Sequence, residues 1–76
     1  MKQLSVRLTN LRSFHFNTWF SAKELTDILR DVMGVTKARR ALSDLENHGV
    51  IEFRNARTCR FCVAPTVENI QNIITL

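Results

Sequence analysis

Two cysteines and two histidines are the residues of this chain whose types and spacing could support metal or redox chemistry. Cys59 and Cys62 have CxxC spacing, and His15 and His48 would complete a set of four zinc ligands. A redox CxxC motif normally starts a helix in a βαβ setting, which this sequence lacks. On a strand, residues three apart point to opposite faces. We therefore expect one cysteine to be buried as a small apolar residue, with no disulfide and no bound metal.

Acidic side chains give no sign of a catalytic site. They are spread over stretches with helical periodicity, and none of them form the carboxylate pair that a nuclease or a general acid–base site requires. Examples are Glu24, Asp27, Asp31, Asp44 and Glu46. We expect a protein that is not an enzyme and needs no cofactor.

Basic side chains are the stronger chemical signal. Eleven Lys and Arg against seven Asp and Glu give a formal net charge of +4 in 76 residues. A polyanionic partner would therefore gain from counterion release on binding. Two basic groups stand out: Lys37, Arg39 and Arg40 in one, and Arg54, Arg57 and Arg60 in the other.

The composition is that of one small globular domain. It is 45% hydrophobic and 24% charged, with one Pro and two Gly, and this length allows one hydrophobic core. No stretch resembles a signal peptide or reaches transmembrane length. We expect a cytoplasmic protein that does not bind membranes and whose cysteines are reduced.

The N-terminal half predicts two helices. Leu4, Leu8 and Leu11 share one helix face and predict helix 1 at about 3–15, although the alternation of Leu4, Val6 and Leu8 also fits a strand. Asn17 and Thr18 interrupt the pattern, and 18–20 is predicted to be a short strand. Ser21 and Glu24 form a capping box that starts helix 2 at about 21–33, which Gly34 ends.

The C-terminal half predicts a helix, a β-hairpin and a last helix. Thr36 is expected to cap a helix at about 36–48, with Gly49 as its stop. Two β-prone segments around the turn 55–58 predict a hairpin at about 50–63. After Pro65, Thr66 is expected to cap a short helix at about 66–75.

This order of elements resembles the winged helix-turn-helix family between about 18 and 63. The residues that carry the resemblance are Ser21-Ala22-Lys23-Glu24-Leu25, Gly34-Val35-Thr36 and the segment 40–51. The resemblance implies an α+β, mainly α fold of three helices and a β-hairpin wing, here with a short C-terminal helix. It also implies that 36–48 is the recognition helix and that the partner is double-stranded DNA.

Helix geometry assigns roles to the residues of the recognition helix. Ala38, Ala41, Leu42 and Leu45 fall on one face, and Thr36, Arg40, Ser43 and Asn47 fall opposite them. Arg40 is the best candidate to read a guanine, while Lys37 and Arg39 flank the outer face and suit phosphates. In the wing, Arg54, Arg57 and Arg60 suit the DNA backbone or minor groove, with Arg57 at the tip.

Together with these residues, the resemblance implies a sequence-specific transcriptional regulator of bacterial or phage type, associated with the nucleoid. The alternative is a winged-helix module that docks on a polymerase, a repressor or another assembly. Ile70, Ile73 and Ile74 could complete the monomer core or contact a second copy, and we predict a homodimer through the C-terminal helix. Trp19 and the five Phe could stack on unpaired bases, but we expect them in the core.

Overall fold

The chain folds as an α+β domain that is mainly helical, as predicted. The computed structural model describes residues 2–16 and 18–74. In these residues the elements are α1 (Lys2–Phe14), β1 (Phe20–Ser21), α2 (Ala22–Met33), α3 (Val35–Asn47), β2 (Ile51–Asn55), β3 (Thr58–Phe61) and α4 (Val67–Ile73). The three strands form one antiparallel sheet in the order β1-β3-β2. Asn17 and the predicted end of the last helix at 75 lie outside the described residues.

One hydrophobic core joins the helices to the sheet. Leucines at helical spacing on the first three helices are fully buried, and the inward residues of the strands meet them. The members with no exposed surface include Leu4, Leu8, Leu25, Leu29, Leu45, Cys59 and Ile70. None of the helices in the described part of the chain is long and apolar enough to span a bilayer.

Helix α2 starts at the predicted serine, but the capping box is only half formed. The Oγ of Ser21 accepts a hydrogen bond from the backbone amide of Lys23 at 3.3 Å. The carboxylate of Glu24, which was expected to bond back to the amide of Ser21, instead lies 3.0 Å from Nε2 of His15. The contact with His15 at the end of α1 takes the place of the reciprocal cap.

A single residue, Gly34, separates α2 from α3. Its φ of +84° lies in the region that favours glycine. Its amide donates to the carbonyl of Arg30 at the end of α2, and its carbonyl accepts from the amide of Ala38 in α3. Because Gly34 itself serves both helices, α3 begins at Val35, and the prediction that Thr36 caps it is wrong. Thr36 lies in the first turn of α3.

The hairpin is shorter than the predicted range 50–63, and one of its strands carries an irregularity. Phe53 faces Cys59 and Asn55 faces Thr58, so β2 has one more residue than β3 between these pairs. The extra residue is Arg54. A bulge of this kind bends a strand and redirects its side chains.

Helix α4 closes the core of the monomer. Thr66 caps it as predicted, because its Oγ1 accepts from the amide of Asn69 at 3.2 Å. Ile70 and Ile74 are buried and Ile73 is half-buried against the core. The buried hydroxyl of Ser5 in α1 also donates to the carbonyl oxygen of Pro65 at 3.0 Å. Ile70 and Ile74 thus complete the monomer, and the homodimer stays a prediction.

The expected burial of the aromatic residues is only partly correct. Phe20 is buried, and Phe53 and Phe61 are half-buried against the core. Phe14 and Phe16, however, are 82% and 58% exposed. They lie at the end of α1 and just beyond it, where the chain leaves the core to reach β1.

Candidate nucleic-acid interface

The outer face of α3 is polar and exposed along its whole length. Ala38, Ala41 and Leu45 turn into the core, and the helix geometry places the other face about 180° away. All four residues that the sequence placed on that face are exposed: Thr36, Arg40, Ser43 and Asn47. This face can present a guanidinium, an amide and two hydroxyls to a partner.

Basic residues lie on both flanks of this face. Arg39 lines a groove with Thr26 and Arg30 of α2. Lys37 and Arg40 line a second cleft, which ends at Ile74 after α4. The two flanking cations predicted from the helical wheel, Lys37 and Arg39, are therefore on opposite sides of the helix.

The first turn of α3 has no side-chain cap. Gly34 is its N-cap residue and has no side chain to accept a hydrogen bond. The first amides of a helix have no partner within the helix, and they favour an anion at that end. Val35, Thr36 and Lys37 at this end are all exposed, so the start of the helix faces solvent.

Two hydrogen bonds fix the turn of the hairpin. The amide of Arg57 donates to Oδ1 of Asn55 at 2.9 Å, which is the local bond that makes asparagine a turn residue. The amide of Ala22, the first residue of α2, donates to the carbonyl oxygen of Arg57 at 2.8 Å. Arg57 is therefore held beside the start of α2 while its side chain stays exposed.

A groove of about 450 Å³ lies between α2, α3 and the hairpin. Leu42 of α3 and Phe53 of β2 give it an apolar lining, and Arg57 borders it at the turn. From α2, Lys23 and Arg30 supply two further cations and Asp27 one carboxylate. Within the described residues, neither Arg57 nor these two cations lie within ion-pair distance of a carboxylate.

Sequence reasoning did not identify Lys23 and Arg30 as site residues. The signal was available, because residues seven apart in a helix lie on the same face, and Thr26 lies on that face between them. Their relation to Arg57 depends on how the hairpin packs against α2, which no local pattern in the sequence specifies.

Arg60 differs from the other two predicted hairpin arginines. It faces Glu52 across the strands, and its Nε pairs with the carboxylate of that residue. Its guanidinium also lies over the ring of Trp19, 4.6 Å from the centroid. The charge of Arg60 is thus already compensated, whereas Arg54 and Arg57 are exposed and have no carboxylate within ion-pair distance in the described chain.

The cysteines and histidines are dispersed. Cys59 is buried and Cys62 is exposed, which agrees with the expectation that one would be in the core. Burial, with the nearby charge of Glu24, raises the pKa of Cys59 from 9.0 to about 11. Burial, together with Glu52, also raises the pKa of Cys62, although Arg60 opposes the rise. The described residues contain no group of three or more His, Cys, Asp or Glu that could hold a metal ion.

The two histidines have separate contacts. Nδ1 of His48 lies 2.8 Å from the carbonyl oxygen of Asp44, so this side chain contacts the C-terminal end of α3. His15 packs between Phe14 and Phe20, with both ring centroids 4.8 Å away. Its Nε2 is buried close to Glu24 without the geometry of a hydrogen bond.

Comparison with known proteins does not assign this interface to a family. No family model, no curated protein and no solved structure matches the chain.

Proposed function

We propose that this protein is a winged helix-turn-helix transcriptional regulator that binds duplex DNA. The observation that carries the proposal is the joint position of the exposed polar face of α3 and the hairpin turn at Arg57, with a basic groove between them. Such a surface combines side chains that can read bases with cations that can hold phosphates. The sheet order β1-β3-β2 agrees with a hairpin that packs beside the helix pair as a wing.

In this proposal α3 enters the major groove as the recognition helix. Arg40 presents two donors to the acceptors of a guanine, and Asn47 can pair with an adenine. Thr36 and Ser43 supply hydroxyls on the same face, and Lys37 contacts a phosphate from its flank. Arg40 is the residue whose loss should change both affinity and sequence preference.

Phosphates of the DNA backbone would lie against the groove between α2 and the hairpin. Lys23 and Arg30 border it from α2, and Arg57 borders it from the turn. Arg39 of α3 lines an adjoining groove together with Arg30. Arg54 and Arg57 extend this contact along the wing to the backbone or the minor groove. The uncapped amides of α3 would donate hydrogen bonds to one further phosphate oxygen.

A matched pair of single-charge variants tests the proposal. Arg40→Gln removes one positive charge from the outer face of α3, and Arg12→Gln removes one from α1, outside the proposed surface. Fluorescence anisotropy on a duplex of mixed sequence measures the affinity of each at low and moderate salt. We expect a steep salt dependence for the wild type, with Arg40→Gln about tenfold weaker and Arg12→Gln close to wild type.

Two results would overturn the proposal. The first is the absence of duplex binding by the wild-type protein at low salt. The second is an equal loss of affinity in both variants, which would mean that only net charge matters. In either case the alternative, a winged-helix module that docks on another protein, becomes the hypothesis to test next.

A further inference from the structure

A second group of aromatic and basic side chains lies at the end of α1, outside the surface proposed for duplex DNA. We call it the α1-end surface, and it consists of Arg12, Phe14, Phe16, Trp19 and Arg60. Phe14 and Phe16 are 82% and 58% exposed. Two largely exposed phenyl rings, two residues apart in the chain of a small protein, indicate a binding surface rather than a part of the core.

Arginine guanidinium groups lie over two of these rings. The guanidinium of Arg12 is 5.4 Å from the ring centroid of Phe16, and that of Arg60 is 4.6 Å from the ring centroid of Trp19. Both arginines line the same small pocket of about 50 Å³, together with His15, Phe16 and Thr18. Phe14 joins the group through edge contact of its ring with that of His15. Through the pocket and His15, these contacts connect all five side chains.

The charge on this surface is positive. Arg60 is compensated by Glu52, but Arg12 has no carboxylate within ion-pair distance in the described residues. The polar pocket between Arg12 and Arg60 has room for an oxygen atom of an anionic group. The surface thus offers exposed rings, a guanidinium plane held over Trp19, and one uncompensated cation.

We propose that the α1-end surface binds single-stranded nucleic acid. Phe14 and Phe16 stack on unpaired bases, the outer plane of the Arg60 guanidinium offers a third stacking face, and Arg12 contacts a phosphate. Stacking of bases on aromatic rings beside arginines is the general chemistry of such binding, and it tolerates any sequence because every base has a flat face. In a duplex these faces are covered by the neighbouring bases, so the rings require an unpaired strand. Stacking of aromatic side chains on unpaired bases was one function that the sequence allowed. The exposure of Phe14 and Phe16 places the candidate rings at the end of α1.

The experiment uses the full chain and a fluorescein-labelled oligothymidylate, which cannot pair with itself. Binding is measured by anisotropy at low salt and by quenching of Trp19, the only tryptophan of the chain. The test variant is the double substitution Phe14→Ala and Phe16→Ala. Its matched control is Val6→Ala, which trims an exposed apolar side chain elsewhere on α1. A conservative variant replaces both phenylalanines with tyrosine.

We expect the wild type to bind the oligothymidylate with loss of Trp19 fluorescence. The double alanine variant should bind about tenfold more weakly or worse, while the tyrosine variant and Val6→Ala should keep their affinity. Arg12→Gln should also weaken binding, and this variant carries the test if the double alanine variant does not fold. Arg40→Gln should weaken oligothymidylate binding less than Arg12→Gln does, which is the reverse of their order on duplex DNA, so this proposal and the duplex proposal can fail separately.

Three results would overturn the inference. They are no binding of the oligothymidylate by the wild type at low salt, unchanged affinity in both the alanine and Arg12→Gln variants, and a switch from dimer to monomer in sedimentation when the two rings are removed. The last result would mean that the rings cover a second copy of the chain.

Discussion

The backbone amide of Ala22 donates a 2.8 Å hydrogen bond to the carbonyl oxygen of Arg57, and this bond joins the first residue of α2 to the turn of the hairpin. The two residues are far apart in the chain. Through this bond, and through the pairing of Ser21 with Thr58, the turn has a fixed position relative to the helices. The position of Arg57 relative to the helices therefore depends on contacts between elements that are distant in the chain.

Asn55→Ala should loosen this turn. The substitution removes the oxygen that accepts from the amide of Arg57 at 2.9 Å, and a lost hydrogen bond of this kind costs about 1 kcal/mol. Urea unfolding should show this loss, and hydrogen exchange at the amide of Ala22 should become faster. Asn72→Ala, an exposed change on α4, serves as the control. Equal exchange at Ala22 in wild type and Asn55→Ala would contradict the role given to Asn55.

The two threonines that the sequence proposed as helix caps should respond differently to alanine. Thr66 caps α4 through the amide of Asn69, so Thr66→Ala should lower the free energy of unfolding by about 1 kcal/mol. Thr36 lies inside α3 and caps nothing, so Thr36→Ala should leave stability within about 0.5 kcal/mol of wild type. Urea denaturation compares them, and a larger loss for Thr36→Ala would show that α3 begins later than described.

Gly34→Ala should destabilise the protein through the backbone alone. The φ and ψ of Gly34, 84° and 171°, lie in a region that is essentially restricted to glycine. Apart from the two adjacent residues of the chain, an added Cβ would meet no atom within 4 Å, so overlap with other parts of the fold contributes nothing. We expect a loss of about 1–3 kcal/mol, measured by thermal or urea unfolding.

A chemically synthesised chain with D-alanine at position 34 is the matched control. D-residues accept positive φ, so this chain should be about as stable as wild type. If both alanine forms were equally destabilising, the loss would come from crowding around position 34 and the backbone explanation would be wrong.

The buried thiol of Cys59 should make stability fall at alkaline pH. Burial and the charge of Glu24 raise its pKa from 9.0 to about 11. Below pH 9 the thiol is protonated in both the folded and the unfolded chain, so it contributes fully to the free energy of unfolding. Between pH 9 and 11 the unfolded chain loses a proton that the folded protein keeps, so the contribution is lost as the pH rises through that window.

Urea unfolding at several pH values from 8 upward measures this effect. Wild type should lose roughly 1–2 kcal/mol more than Cys59→Ala over the window. Cys62→Ala should change the slope less than Cys59→Ala does, because that thiol is exposed and Arg60 opposes the rise of its pKa. A Cys59→Ala variant with the same pH dependence as wild type would show that other groups cause the loss.

Local sequence patterns predicted the secondary structure well, because the residues that begin and end a helix act on neighbours close in the chain. Ser21 caps α2 and Gly34 ends it, and both depend only on neighbours within one helical turn. The same reasoning misplaced the start of α3, since Thr36 has the right type for a cap but Gly34 already serves both helices. Local reasoning also misplaced the carboxylate of Glu24, because its partner His15 lies just beyond α1 and not in the first turn of α2.

The candidate site was predictable only in part. The polar face of α3 follows from helix geometry, so Arg40 and Asn47 were located correctly on the exposed face. The arginines of the hairpin were grouped by sequence, yet Arg60 pairs with Glu52 across the sheet and lies over Trp19. The exposure of Phe14 and Phe16 was not anticipated, because composition alone does not show which aromatic rings a small core can accommodate.

The junction of one residue between α2 and α3 restricts how this protein can evolve. Each residue added to a helix turns all that follow by about 100°, so an insertion next to Gly34 would bring Ala38 and Leu45 to the surface and carry Arg40 toward the core. Changes in binding preference should therefore arise by substitution at positions 36, 40, 43 and 47. A change in length at the hairpin turn, residues 56 and 57, would leave the register of every helix unchanged, but it would displace the carbonyl of Arg57 to which Ala22 donates.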